Sequence, residues 1–141
     1  ATVYCPNNRL TALDLSKNTA LATLACSRNQ LTALDLSQNT AITELYCNNN
    51  QLAALDLSRN TALTELYCNG NRLTTLDLSR NTELTKIYCD DNPLTELNIS
   101  NLSKIEEIVF GDNPEINVIA NSQTVVSDEV RHYMDGKRKT P

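Results

Sequence analysis

Apolar and polar residues recur along this chain at a fixed spacing of 21 residues. Two neighbouring segments, Ile42 to Ala62 and Leu63 to Glu83, match at most of their positions, and the same frame runs from the first residues to about residue 116. Self-similarity at such a period is the signature of a repeat architecture. Equivalent residues are therefore expected at equivalent places on successive turns of one coil.

Three kinds of column define the interior of the predicted coil. Cysteine recurs at Cys5, Cys26, Cys47, Cys68 and Cys89, with Phe110 in the sixth place. Asparagine recurs at Asn8, Asn29, Asn50, Asn71, Asn92 and Asn113. Leucine or isoleucine fills five more columns, which begin at Leu10, Leu13, Leu15, Leu21 and Leu24. Since aromatic residues make up only 4% of the chain, these columns predict a thin, layered core.

Each turn reads LxxLxCxxNxL followed by LxxLDLSxNTx, and this pattern resembles the leucine-rich repeat. It is similar to the 21-residue variant found in cysteine-containing, internalin-like bacterial surface proteins. The resemblance implies a mainly β repeat solenoid with a parallel sheet on its concave face, formed by segments such as Leu45–Cys47. It also implies extended convex returns such as Leu55–Leu57, and a protein that is secreted or held at a bacterial cell surface.

The alternation of residue types gives the orientation of these strands directly. Successive side chains of a strand point to opposite faces. Leu45 and Cys47 are therefore expected to point inward, and Glu44, Tyr46 and Asn48 outward.

The repeat weakens toward the C-terminal end. A second asparagine column occupies Asn18, Asn39, Asn60 and Asn81. Leu102 stands in its next place, and after Pro114 the frame slips by one residue, with Ile116 and Ile119 following.

These observations divide the chain in two. Residues 1–120 are predicted to form a solenoid of about six turns of 21 residues. Residues 121–141 are predicted to form a C-terminal cap or tail with one short helix at 128–135, because Ser127 to Glu129 supply a capping residue and an acidic first turn.

The charge balance narrows the range of partners. The net charge is −5, which argues against sequence-independent nucleic-acid binding, since that needs a basic surface. No apolar run approaches the roughly 20 residues of a membrane span, so no membrane insertion is expected. The chain starts in mid-repeat without a polar cap, so we expect a monomer or a weak end-to-end dimer through this uncapped N-terminal edge.

Five cysteines in an extracellular chain would normally suggest disulfides. Here they stack in register, and parallel Cβ vectors on neighbouring strands do not give the disulfide dihedral of about 90°. We predict a ladder of free, buried thiols that pack as small hydrophobic groups. A metal site needs ligands that converge on a point, which a linear column cannot supply, and the only histidine is His132 in the tail. No metal or other cofactor is predicted.

Two polar columns are interpreted as structural. The asparagine column is expected to face inward and to bond backbone groups of its own turn and the next, since buried amides must be hydrogen-bonded. The aspartate column is expected to face solvent on the return half of each turn: Asp14, Asp35, Asp56 and Asp77. Lys17, Arg59 and Arg80 can offset the repulsion in three of these turns. Calcium binding is the alternative, because hard cations take oxygen ligands.

The outward side chains of the predicted sheet are the functional candidates. One column reads Tyr4, Ala25, Tyr46, Tyr67, Tyr88, Val109. Beside it runs Thr2, Thr23, Glu44, Glu65, Lys86, Glu107. On the other side lie Pro6, Ser27, Asn48, Asn69, Asp90, Gly111. Tyrosine is favoured at interfaces, but aromatic ladders also stabilise sheets without binding anything.

We predict a non-enzymatic module that binds a protein partner through the concave face, for which the resemblance implies a role in adhesion. The candidate binding residues are Tyr46, Tyr67, Tyr88, Glu44, Glu65, Lys86 and Asp90. The sequence has no glycine-rich phosphate loop and no G-x-S-x-G motif. The alternative is a structural, designed or truncated scaffold without a specific partner, which the near-identity of the two central turns favours.

Overall fold

The computed structural model describes residues 1–111, 113 and 116–120. Within these residues the regular structure consists of eight strands of three residues each, and no helix is present. The strands are β1 (Thr2–Tyr4), β2 (Thr23–Ala25), β3 (Glu44–Tyr46), β4 (Glu65–Tyr67), β5 (Lys86–Tyr88), β6 (Glu96–Asn98), β7 (Glu107–Val109) and β8 (Asn117–Ile119). The helix predicted at 128–135, with the rest of 121–141, lies outside the described residues.

The strands form two parallel sheets, and the larger one follows the repeat. Strands β1, β2, β3, β4, β5 and β7 pair side by side in chain order, and β6 pairs with β8. Leu45 lies opposite Leu66, so adjacent strands are in register at the 21-residue spacing of the sequence. The predicted solenoid with a parallel sheet is confirmed.

The predicted inward and outward positions are also confirmed. Leu45 and Cys47 are fully buried, whereas Glu44, Tyr46 and Asn48 are half-exposed. The buried leucines, isoleucines and cysteines of successive turns form one continuous hydrophobic core. A parallel sheet with only one face packed against this core leaves its other face open to solvent.

The cysteines are free, as predicted. Cys26, Cys47, Cys68 and Cys89 are buried, and Cys5 is partly exposed. Burial raises the pKa of the Cys26 thiol to about 12 and that of Cys47 well above its ordinary value. These thiols therefore remain neutral and act as packing groups.

The inward asparagines close each turn by hydrogen bonds. The side-chain amide of Asn50 donates to the carbonyl oxygens of Cys47 and Cys26, both at 3.1 Å, and its oxygen accepts from the backbone amide of Leu31 at 3.1 Å. The bonds thus join its own turn to the preceding one. Asn8, in the first turn, is exposed and donates to carbonyl groups of its own turn.

The second asparagine column is buried more deeply than the first. Asn39, Asn60 and Asn81 are 0% exposed. The Asn39 amide donates to the carbonyl oxygens of Leu15 and Asn18 at 3.0 and 2.9 Å. The side-chain oxygens of all three have no hydrogen-bond partner, which the sequence did not indicate.

The return halves are less regular than the sheet. In the first four turns they have no regular secondary structure, and paired return strands occur at β6 and β8. The Asp56 carboxylate is exposed and accepts from the backbone amide of Ser58 at 3.0 Å, and the same bond joins the equivalent pairs. Hydrogen bonding to the side chain and backbone of Ser58 lowers the pKa of Asp56. The solvent-facing aspartates are therefore turn-forming residues.

The predicted frame slip after Pro114 is wrong for the last strand. Ile116 is buried, as a shift by one residue requires. Val118, however, lies opposite Leu97, so β8 keeps the 21-residue register, and Ile119 is 36% exposed. Strand β8 therefore keeps the frame of the repeat.

A column of left-handed residues turns the chain after strands β1 to β5. Asn7, Asn49, Gly70 and Asp91 have φ values of 58°, 56°, 66° and 53°. Asparagine, aspartate and glycine tolerate this region well. Arg28 occupies the same place with φ of 56°, although its side chain is poorly suited to it.

Candidate functional site: the sheet face

The sheet face is defined here as the three columns of outward side chains on and just beyond β1–β5 and β7. Its central column holds the tyrosines, and the column on the N-terminal side of each strand holds most of the charges. The core below fixes the backbone of each strand, so the spacing of these side chains follows the spacing of the strands.

Three tyrosines on adjacent strands stack on one another. The ring centroids of Tyr46 and Tyr67 are 4.7 Å apart with planes inclined by 17°, and those of Tyr67 and Tyr88 are 4.8 Å apart at 13°. These separations equal the distance between neighbouring strands, about 4.8 Å. The in-register pairing of β3, β4 and β5 therefore produces the stack.

The phenol groups of the stack meet carboxylates. The Tyr46 hydroxyl donates to Glu44 at 3.3 Å and approaches Glu65 at 3.4 Å, and the Tyr67 hydroxyl also lies 3.4 Å from Glu65. The Tyr88 hydroxyl donates to Glu107 through a short bond. A line of phenol and carboxylate groups therefore runs beside the rings.

This arrangement keeps the phenols protonated. Burial, together with the negative charges of Glu44 and Glu65, raises the pKa of Tyr46 to about 12. The hydrogen bond to Glu107 is the main cause that raises the pKa of Tyr88, also to about 12. The phenols act as neutral hydrogen-bond donors, and the sheet face keeps its negative charge.

Lys86 and Asp90 occupy different places in this arrangement. The Lys86 ammonium lies 3.9 Å from the Glu65 carboxylate, and both side chains are partly exposed. Asp90 is half-exposed in the neighbouring column, two residues after Tyr88, and its charge contributes to raising the pKa of the buried Cys89 thiol, for which burial is the main cause. The structure thus gathers six of the seven predicted residues into one network and places Asp90 beside it.

Glu107 was not among the predicted binding residues. It lies on β7 opposite Lys86 and accepts the Tyr88 hydroxyl. The signal for it was present, because Glu107 occupies the 21-residue column of Glu44 and Glu65.

The groups that meet on the sheet face suit recognition. Phenols, carboxylates and one ammonium offer hydrogen bonds, charge and flat apolar area. Within the described part of the chain, no three histidine, cysteine, aspartate or glutamate side chains are placed to hold a metal ion. Among the same residues no helix is long and apolar enough to cross a membrane.

Sequence and structure comparisons now identify the repeat. A family model for two copies of Leucine Rich repeats matches residues 40–81. The functional domain of InlJ from Listeria monocytogenes, described as including a cysteine ladder, is 32% identical with a TM-score of 0.84 over 87% of this chain. The chain has the leucine-rich repeat fold. Its repeat, with a cysteine in each of the first five turns, is similar to that of the internalin-like InlJ domain.

Other solved leucine-rich repeat structures share the fold at lower identity. An internalin, InlF, from Listeria monocytogenes is 19% identical with a TM-score of 0.67, over 93% of this chain and 50% of its own. The ectodomain of the receptor kinase SOBIR1 from Arabidopsis thaliana is 19% identical with a TM-score of 0.65, over 75% of this chain and 65% of its own. No curated protein sequence matches significantly. This leucine-rich repeat chain spans 27% of the InlJ domain.

Proposed function

We propose that the sheet face binds a protein partner, with Tyr46, Tyr67 and Tyr88 as the main contact area. The observation that carries this proposal is the stack of three half-exposed rings on neighbouring strands of an in-register sheet. Tyrosine contributes large contact areas and is enriched among the residues that dominate binding energy. Because stacking already restricts the rings, binding would cost little additional side-chain entropy.

The charges of the sheet face support a basic partner surface. Glu44, Glu65, Glu107 and Asp90 carry four negative charges, and Lys86 is the positive charge among them. Complementary charge speeds encounter and fixes the orientation of a complex. In the proposed complex, lysine or arginine side chains of the partner approach the column of glutamates, and Lys86 and Asp90 set the register.

The proposed surface is long and repetitive. Six strands at about 4.8 Å spacing give a face roughly 25 Å long. Along their own strands, Tyr46 and Tyr67 have the same neighbours, a glutamate two residues before and an asparagine two residues after. The partner is therefore expected to contact several turns at once.

Adhesion at a bacterial surface is the finer form of this proposal. The likeness to InlJ and InlF, together with the internalin-like repeat, supports a secreted or surface-held protein. Fractionation of the source cells with an antibody to this domain tests the location. Recovery from the cytosol alone would contradict it.

A purely structural role for the stack is the second candidate, and a specific observation favours it. Each phenol of the stack already has a carboxylate neighbour, and the central ring contacts a ring on both sides. Cross-strand aromatic pairs stabilise sheets without any partner. The two roles differ in whether loss of the rings removes binding or only stability.

Partner titration separates these roles. The immobilised chain is screened against an array of purified secreted and cell-surface proteins, and each candidate is titrated by calorimetry. The triple variant Tyr46→Ala, Tyr67→Ala, Tyr88→Ala should weaken the affinity at least 100-fold. The matched control replaces three exposed threonines of one return column: Thr11→Ala, Thr32→Ala and Thr74→Ala. It should bind as the parent does.

Because the triple tyrosine variant is expected to be less stable, each titration is run where circular dichroism shows the variant to be folded. A second variant, Glu44→Lys with Glu65→Lys, keeps the rings and reverses the charge. It should weaken binding at least ten-fold. Unchanged affinity in both variants would refute the sheet face as the binding site.

A further inference from the structure

The tyrosine column of the sheet face has one gap. Tyr4 lies opposite Ala25, and Ala25 lies opposite Tyr46, so alanine stands between two tyrosines on adjacent strands. Tyr46 continues into the stack, whereas the Tyr4 side chain is 78% exposed. Tyr4 therefore has a large apolar surface beside the gap that no ring of this column covers.

The gap is a cavity of about 380 Å³. Its lining includes Tyr4 and Tyr46, which the register places as walls on either side of Ala25. Thr23 and Ser27, on the same strand segment as Ala25, form the floor with it, and the exposed Arg28 also lines the cavity. The surface lining it is mainly apolar, and it opens to solvent on the same face as the tyrosine stack.

The spacing of the strands leaves room for one aromatic ring between Tyr4 and Tyr46. Within the stack, each strand carries a ring at 4.7 or 4.8 Å from the next. Tyr4 and Tyr46 are two strands apart, about 9.6 Å at the usual strand spacing. A ring inserted above Ala25 would therefore lie at the stacking distance from both walls, in the place that the column leaves empty.

We propose that this cavity receives a single aromatic side chain of the protein partner, held between Tyr4 and Tyr46. The proposal rests on the proposed function and names the residue type that the sheet face selects. The inserted ring extends the stack from three rings to five. Arg28 is placed to lie against the exposed edge of that ring or to donate to a backbone carbonyl of the partner, as a guanidinium does well.

The polar residues of the lining favour a phenol. Thr23 and Ser27 line the cavity two residues before and two residues after Ala25, and their hydroxyl groups can donate to or accept from a phenol hydroxyl. A phenyl ring would leave these hydroxyls without a new partner. Tyrosine is therefore preferred to phenylalanine.

The test uses N-acetyl-tyrosinamide as the probe, followed by nuclear magnetic resonance of the isotope-labelled chain. Saturable shifts are expected at Tyr4, Ala25 and Tyr46. The variant Ala25→Tyr fills the cavity with a ring of the chain itself and should abolish these shifts. Its control, Ala33→Tyr, adds a tyrosine at an exposed return position and should leave them unchanged. Tyr4→Ala removes one exposed wall, is not expected to disturb folding, and should weaken binding at least five-fold.

Two results would overturn the proposal. One is binding of the probe to Ala25→Tyr with the affinity of the parent chain. The other is tighter binding of methyl glucoside than of the aromatic probe, since it would assign the cavity to a sugar ring. N-acetyl-phenylalaninamide, measured in parallel, should bind more weakly than the tyrosine probe, and equal or tighter binding would contradict the phenol preference.

The same variants separate this proposal from the proposed function. If the partner binds Ala25→Tyr as it binds the parent but fails to bind the triple tyrosine variant, the sheet face is the binding site and no aromatic side chain of the partner enters the cavity. If the probe binds in the cavity and the partner binds both variants with the affinity it has for the parent chain, the cavity binds aromatic rings and the proposed function is wrong.

Discussion

The ring of Tyr46 stacks on the ring of Tyr67 at 4.7 Å, and the hydroxyl groups of both lie 3.4 Å from the same carboxylate oxygen of Glu65. One glutamate thus serves two adjacent turns, because the 21-residue register places it beside both phenols. This geometry links the stability of the sheet to the surface that it presents.

Replacing Tyr67 by alanine should lower the free energy of unfolding by about 1–3 kcal/mol. Tyr67 is the central ring, and each of its two stacked pairs is worth about 0.5–1.5 kcal/mol beyond the area it buries. Tyr67→Phe keeps both pairs and loses the long bond to Glu65, so its cost should stay below about 1 kcal/mol. Urea denaturation measures both. Equal losses in the two variants would show that the rings contribute nothing by stacking.

Replacing Asn50 by leucine should destabilise the fold by about 1–3 kcal/mol, since the Leu31 amide and two carbonyl groups would lose their partner. Asn8→Leu is the matched control, because Asn8 is exposed and bonds within its own turn. Its cost should stay below about 1 kcal/mol. A chemical-denaturation series that finds the two variants equally stable would contradict the inter-turn role of the asparagine column.

Replacing Arg28 by asparagine should stabilise the fold by about 0.5–1 kcal/mol. The left-handed conformation costs most residues about 1–2 kcal/mol, and asparagine tolerates it better. Asn49 already occupies the equivalent place in the next turn at the same φ of 56°. The control is Arg72→Asn, which is exposed and lies outside the left-handed region. The melting temperature of Arg28→Asn should rise relative to that control, and a fall would show that the guanidinium is needed there.

Stability should decline as the pH rises above about 9. Burial raises the pKa of Cys26 from an ordinary 9.0 to about 12, and burial does the same for Cys89. A thiol with a raised pKa in the folded state contributes its stabilisation fully below the unfolded pKa and loses it between that value and the folded pKa. The pH window is therefore 9 to 12.

Urea midpoints at about pH 7.5 and about pH 10.5 measure this decline. Tyr46 and Tyr88 contribute in the same direction, since their pKa values are also raised. A variant with Cys26→Val and Cys89→Val should therefore show a shallower, but not flat, dependence on pH. An unchanged slope would assign the whole effect to the tyrosines.

The repeat made most of the fold predictable, because identical residues 21 apart must have equivalent surroundings. The inward Leu45 and Cys47, the outward Tyr46 and the turn-forming asparagines follow from that equivalence. The predictions were less accurate for residues whose surroundings differ from those of their equivalents in other turns. Asn8 is exposed and bonds only within its own turn, unlike Asn50. Ile119 is exposed because β8 pairs with β6 in the original register.

The features of the candidate site were likewise predictable only where they follow from the repeat. The positions of the three stacked tyrosines follow from their column, and that of Glu107 follows from the column of Glu44 and Glu65. The contact of two phenol groups with one Glu65 oxygen and the cavity above Ala25 could not be predicted from the sequence. Both depend on side-chain conformations, and the cavity also depends on the absence of a ring at position 25. The side-chain oxygens of Asn39, Asn60 and Asn81, which have no hydrogen-bond partner, could not be predicted either. A repeated asparagine in the sequence does not indicate which atom of its amide group is hydrogen-bonded.

The asparagine bonds described above also constrain how the chain can change in length. Asn50 and Asn60 make bonds that span 19, 21 and 24 residues. Recombination that inserts or deletes one whole repeat re-creates each of these contacts with a new neighbour. An insertion of a single residue between two asparagines displaces one turn from its neighbours. The gene can therefore lengthen or shorten in steps of one turn, and each added turn would lengthen the sheet face by one strand.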